Sequence, residues 1–142
     1  MTAALRAEAG HALAELGLEG FEDRPIGSLS AGQRQRVLFA RVMVADSPVI
    51  LLDEPFTGID ARTAVDLLAL ILGWGAEGRL VIAVLHDHDL VRRHFPQALL
   101  LARQALAWGP TAEVMTAANL VQARTMGEAW DSDAAICQQG AA

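Results

Sequence analysis

The residues Val49-Ile-Leu-Leu-Asp-Glu-Pro55 place this chain among the α/β folds. Four consecutive apolar residues, Val49 to Leu52, are bounded by turn-like residues on both sides. A short unbroken apolar run of this kind suits a strand buried on both faces of a parallel sheet. Two carboxylates directly after such a strand are costly unless something needs them. Ligands in open α/β sheets bind beyond the C-terminal strand ends, so Asp53 and Glu54 stand where chemistry is expected.

A second strand of the same type, Leu80-Val-Ile-Ala-Val-Leu85, ends in His86-Asp87. Between the two, Asp60 can cap a helix from Ala61 to about Trp74, which Gly75 and Gly78 break. Upstream, Ala3 to Leu16 has helical spacing and is ended by Gly17 and Gly20, and Phe21 to Leu29 reads as a loop around Pro25 and Gly27. Ser30-Ala-Gly-Gln33 has the spacing of a capping box. It opens a helix from Arg34 to Ala45, with Val37, Leu38, Val42 and Ala45 as its buried face, stopping before Pro48. Downstream the pattern predicts a helix from about Asp89 to His94 and strands over Ala98–Leu101 and Ala105–Trp108. Short helices over Thr111–Met115 and Ala118–Arg124 precede a frayed remainder. Alternating strands and helices predict α/β layers around a parallel sheet.

The length of 142 residues and 53% hydrophobic content allow one domain with a real core. With a formal net charge of −6, 5% aromatics, no Tyr and no basic cluster, nucleic acid and anionic lipid are not expected as main partners. Cys137, the only cysteine, sits in a polar tail, which excludes an internal disulfide or a cysteine-rich zinc site. Met1 to Gly10 does not read as a signal peptide. The apolar stretch Leu67–Leu85 is interrupted by Glu77, Arg79 and three glycines, so it reads as helix plus strand rather than a membrane span. The expectation is a soluble chain that meets a membrane only through a partner.

Chemistry concentrates at three places. One of the paired carboxylates can hold Mg²⁺ while the next orients or deprotonates a water. A histidine on the neighbouring strand end can meet a terminal phosphate as charge develops. Leu29-Ser-Ala-Gly-Gln33 offers a hydroxyl, a glycine that lets backbone approach a ligand, and a helix N-terminus, which together suit an anion. Plainer readings exist for two of them: a strand-end turn for Asp53-Glu54 and a simple helix cap for Ser30–Gln33. His86-Asp-His-Asp89 could be a metal cluster, but Asp87 or Asp89 is better used to start the next helix. His11 and His94 read as surface residues, and Arg34, Arg36 and Arg41 as the solvated face of their helix.

Taken in order, Leu29-Ser-Ala-Gly-Gln33, Val49-Ile-Leu-Leu-Asp-Glu-Pro55, Gly58-Ile-Asp60 and Leu85-His-Asp87 resemble the motifs of ABC transporter ATPase domains. They match the signature, the Walker B strand with its glutamate, the D-loop and the switch histidine. Each alone is weak, but four in order at family-like spacing are specific, over Ala12 to about Ala123. The resemblance implies a partial P-loop NTPase fold, with residues 1–45 as helical subdomain and signature helix and 46–124 as Walker B, D-loop and H-loop core. Residues 125–142 are expected as a flexible tail. It implies ATP and Mg²⁺ as cofactors, with Asp53 on Mg²⁺, Glu54 polarising the attacking water and His86 on the γ-phosphate. Leu29, Ser30, Ala31, Gly32 and Gln33 would form the loop that reaches ATP held by an opposite subunit, and Asp60 would couple the two sites. Ala31 stands where the family usually has Gly.

The departure is an absence. No Gly-x-x-x-x-Gly-Lys-Ser/Thr occurs in these residues, nor the adenine-stacking aromatic or the Q-loop glutamine. The family pattern thus implies a truncated chain with Met1 inside the domain, unable to grip a nucleotide alone. Softer similarity, in Pro55-Phe-Thr-Gly-Ile-Asp60, Ala98–Leu101 and Trp108-Gly-Pro through Leu120, points to ATPases of zinc and manganese importers. Implied partners are a membrane permease, a second ATPase subunit and, indirectly, a substrate-binding protein, with the chain peripheral at the cytoplasmic face. A soluble ABC ATPase of repair or translation would predict two cassettes or a coiled-coil insertion, and neither is seen. A non-catalytic remnant, or an assembly partner for a P-loop chain, is a third reading.

Overall fold

Strand β1, Val49–Asp53, pairs in parallel with β2, Leu80–Val84, in the register Val49↔Leu80 to Asp53↔Val84. The computed structural model describes residues 2–133. Between the two strands runs α3, Ala61–Ala76, the crossover that a parallel pair requires. Asp60 caps it through Thr63 N–H, and the chain then turns at Gly78, whose φ of 88° favours a residue without a Cβ. The helix buries the stripe Thr63, Leu67, Ile71 and Trp74, spaced for one face.

Strands of this kind are covered on both faces in a complete sheet; the truncated pattern implies that part of this surface stays open here, and it does. Ile50 is 3% exposed, whereas Leu51 is 72% and Ile82 51% exposed. The reason is that β1 and β2 bond only to each other, with α3 packed against one side of the pair. Val49, Leu51, Leu80, Ile82 and Val84 therefore leave an apolar surface open.

Ahead of the sheet, α1 (Ala3–Glu15) packs against α2 (Ala31–Ala45). Gly17, at φ 70°, turns the chain out of α1 and lets Leu16 and Leu18 bury. The buried face of α2 also differs from expectation. Phe39 and Ala40 point inward, while Leu38 and Ala45 are exposed. Phe39 stacks on Trp74 of α3 with ring centroids 5.7 Å apart, and this contact sets the rotation of the helix. Asp46 ends α2 in the left-handed conformation, at φ 42°.

Contacts divide the chain into two compact units, Met1–His86 and Asp87–Ala142. The expected division at 45/46 falls inside the first. In the second unit, Asp87 caps α4 (His88–His94) by accepting from the N–H groups of Asp89 and Leu90, the use foreseen for it. Strands β3 (Gln97–Ala102) and β4 (Gln104–Pro110) form an antiparallel hairpin, so the sheets of the chain are not all parallel. After α5, Thr111–Val114, helix α6 runs Ala117–Asp133. It continues well past Arg124, through residues expected as tail. Cys137 and the rest of the expected tail lie outside the described residues. Among the described residues, no helix is long and apolar enough to cross a membrane.

Candidate functional site

All nine residues singled out from the sequence lie in the first unit. They gather into two groups rather than one.

The first group is built by the parallel pairing. Because Asp53 lies opposite Val84, the next residues on the two strands, Glu54 and those leading to His86, emerge at the same sheet end. Glu54 N–H bonds to Val84 O at 3.1 Å, extending the ladder by one rung. His86 Nε2 then lies 2.7 Å from Glu54 Oε1, and Thr57 Oγ1 donates to Glu54 Oε2 at 3.0 Å. An ionised carboxylate only accepts, so the ring nitrogen facing it carries the proton. These bonds, His86 first and Thr57 second, hold the Glu54 carboxyl below its ordinary range, with the charge of His86 adding to them.

Glu54 has φ 45°, the left-handed region that a residue with a Cβ seldom adopts. Such conformations persist where surroundings over-determine them, at a cost of order 1–3 kcal/mol, and cluster at active sites. Here the over-determination is visible in the Val84, Thr57 and His86 bonds and in Pro55, whose side chain is fully buried. Asp53 ends β1 with an exposed side chain. Two carboxylates and an imidazole thus share one strand end, open to solvent.

The second group surrounds the start of α2. Ser30 Oγ accepts from Gln33 N–H at 3.2 Å, and Gln33 Oε1 accepts from Ser30 N–H at 2.9 Å, completing the capping box. Leu29 is buried and anchors the turn, while Ser30 and Ala31 stay exposed. Gly32 faces the cap of α3: a Cβ built there would sit 3.4 Å from Asp60 Oδ2 and 3.6 Å from Thr63 Oγ1. Asp60 accepts from Thr63 N–H at 2.9 Å and from Thr63 Oγ1 at 2.8 Å, and both bonds keep its carboxyl below the ordinary range. Ser30, Gly32, Gln33 and Asp60 line one concavity together with Arg36 and Thr63.

Three residues here were not expected. Thr57 and Thr63 sit three positions after Glu54 and Asp60, a spacing at which a hydroxyl folds back onto a carboxylate. Arg36 was expected on the solvated face, and Arg34 and Arg41 are indeed exposed. Arg36 instead turns inward, because the carbonyl of Leu16 and the side chains of Thr63 and Asp66 give its guanidinium three acceptors.

Residues 3–57 match the family model described as ABC transporter. The manganese transport system ATP-binding protein of Halalkalibacterium halodurans is 39% identical over 104 residues, which is 73% of this chain and 42% of that protein. The zinc transport system ATP-binding protein of Treponema pallidum is 37% identical over 111 residues, 78% of this chain and 42% of the relative. The chain belongs to the ABC transporter ATPase family. The matched residues cover 42% of the length of each of these curated relatives. Solved ABC structures agree with that assignment. An ABC transporter described as metal-chelate type, in an inward-facing conformation, superposes with TM-score 0.75 at 30% identity, covering 84% of this chain and 48% of that one. An ATP-binding cassette in its ADP conformation shares the fold, at TM-score 0.74 and 24% identity, over 88% and 51%.

Proposed function

We propose that this chain supplies the Walker B, switch and signature parts of an ATP-hydrolysing subunit that energises import of a divalent metal ion. The observation that carries the reading is the contact of Glu54 with His86 at 2.7 Å, beyond the ends of two parallel strands. A carboxylate held ionised and in place by two donors can orient an attacking water, and release of the His86 bond would return to it the basicity needed to take the proton. His86 holds that carboxylate and, on turning, offers its N–H to a phosphate oxygen. Ser30, Gly32 and Gln33, at the N-terminus of α2, suit the γ-phosphate of ATP held by a second subunit. Leu29 and Ala31 shape that turn, and Asp60, beside Gly32, would feel whether the opposite site is filled.

Mg²⁺ is part of the proposal, and the donor set fits it. The ion keeps several waters and takes one or two carboxylates plus substrate phosphates, and Asp53 offers one such carboxylate at the strand end. Among the described residues no group of three or more ligating side chains forms an all-protein cage. When bound, the ion would neutralise phosphate charge.

The permease, a second ATPase subunit and, at a remove, a substrate-binding protein are the proposed partners, with the chain at the cytoplasmic face of the membrane. Manganese or zinc as cargo rests on the names of the relatives. A second reading, as assembly partner of a P-loop-bearing chain, is favoured by the open face at Leu51 and Ile82. The test combines the chain with a P-loop-bearing ABC fragment and a metal permease in vesicles, reading ATP turnover and manganese uptake. Glu54→Gln is expected to stop turnover while leaving ATP bound. Turnover that survives Glu54→Gln, or an assembly that never hydrolyses ATP, would refute the proposal.

A further inference from the structure

The guanidinium of Arg36 is the hub of a contact set that no motif predicts. It reaches the end of α1, donating from Nη1 to Leu16 O at 3.0 Å. From Nη2 it donates to Thr63 Oγ1 at 3.1 Å and to Asp66 Oδ2 at 3.2 Å, both on α3. Arg36 itself lies on α2, six residues after Ser30, so one side chain ties three helices together.

Thr63 is the pivot of this tie. It is 4% exposed, and a buried hydroxyl must satisfy both its proton and its lone pairs. Its proton goes to Asp60 Oδ2 at 2.8 Å, and a lone pair accepts from Arg36. Its N–H goes to Asp60 Oδ1 at 2.9 Å. The hydroxyl is therefore oriented by Arg36 on one side and spent on Asp60 on the other. A chain of bonds runs from the signature helix through Thr63 to the D-loop carboxylate. Gly32 closes the circuit, since its backbone lies against the same Asp60 and Thr63 oxygens.

We propose that Arg36 and Thr63 are positioning residues that hold the signature turn, Ser30–Gln33, and the D-loop carboxylate, Asp60, as one rigid element. In the ATPase reading on which this rests, that element would meet a nucleotide as a unit. A displaced Asp60 would carry Ser30 with it. A lysine at position 36 could not replace the tie, because one ammonium lacks the planar fork that addresses separate acceptors.

Hydrogen exchange of the whole chain, read by mass spectrometry on overlapping peptides, tests the tie without nucleotide. Arg36→Gln is expected to speed exchange of the Thr63 amide roughly fivefold, the size of a lost helix cap, although the substitution lies in another helix. Thr63→Val, nearly isosteric, is expected to speed the Gln33 amide in α2 in return. Amides of Leu67 to Trp74 keep their protection in both variants, and Arg36→Lys restores little. An unchanged Thr63 amide in Arg36→Gln overturns the proposal. So does uniform loosening of α2 and α3 in both variants, which marks a loss of packing only. In the assembled ATPase, Arg36→Gln is expected to lower kcat about tenfold with KM for ATP unchanged. A fall in affinity alone counts against the tie. Absence of turnover in every assembly refutes the ATPase reading instead, and the exchange result still decides the tie.

Discussion

His86 Nε2 lies 2.7 Å from Glu54 Oε1, joining two strand ends 32 residues apart in sequence. The contact exists because β1 and β2 are adjacent and in register, so that the residues following Asp53 and Val84 emerge together. It leaves Glu54 ionised and ordered.

That ordering has a pH signature. The bonds from His86 and Thr57 depress the folded-state value of Glu54 below its ordinary 4.5. A depressed carboxyl contributes stability that is present above the unfolded value and lost as pH falls through the folded one. The contact should therefore persist from neutrality to about pH 4.5 and fail only in stronger acid. Carbon-13 NMR of the Glu54 carboxyl should show a midpoint under 4.5 that rises toward it in His86→Ala. An unmoved midpoint would mean that His86 does not hold the carboxylate.

Ser30 tests the capping box at the start of α2 as a structural device. Ser30→Ala removes the acceptor for Gln33 N–H and should cost about 1 kcal/mol in urea unfolding, while Ser30→Gly should cost only a few tenths. Equal losses for the two would show that the cap bond is not what the serine contributes.

Phe39 tests the core. Phe39→Ala empties the stack on Trp74 and should cost about 3–5 kcal/mol, a large share of the ~5–15 kcal/mol that holds a typical domain. Near-UV circular dichroism should lose the Trp74 signal along with the cooperative transition. A native-like spectrum and a loss under about 1 kcal/mol would contradict the packing described.

The open face of β1 and β2 predicts association. Unpaired strand edges and a contiguous apolar surface promote aggregation, so the chain alone should self-associate with rising concentration and bind a hydrophobic dye. Leu51→Lys with Ile82→Glu should suppress both, since these side chains are exposed and lose little on substitution. A monodisperse, dye-silent preparation of the unmodified chain would show that the face is covered in solution.

Nucleotide grip is the last expectation. All eleven basic side chains are arginines, so no lysine is present to reach a β- or γ-phosphate, and no P-loop motif occurs. The 142 residues alone should therefore bind labelled ATP no more tightly than millimolar. Saturable micromolar binding would require a phosphate site elsewhere in the chain.

What the amino-acid order settled by itself is local: the caps at Ser30, Asp60 and Asp87, the two short apolar strands, and the carboxylates and histidine that follow them. Each rests on residues within four positions of one another, where hydrogen bonding and side-chain periodicity leave little choice. The motifs carried the family, whose shared fold the solved relatives bear out. Tertiary structure alone decided which way Arg36 turns, that Leu38 stays outside while Phe39 meets Trp74, and that β3 and β4 close as a hairpin. It also decided which side chains of the apolar strands form the open surface, Leu51 and Ile82 among them. Hydrophobicity along a strand reports that a surface can be buried. Only the neighbours packed around it determine whether it is.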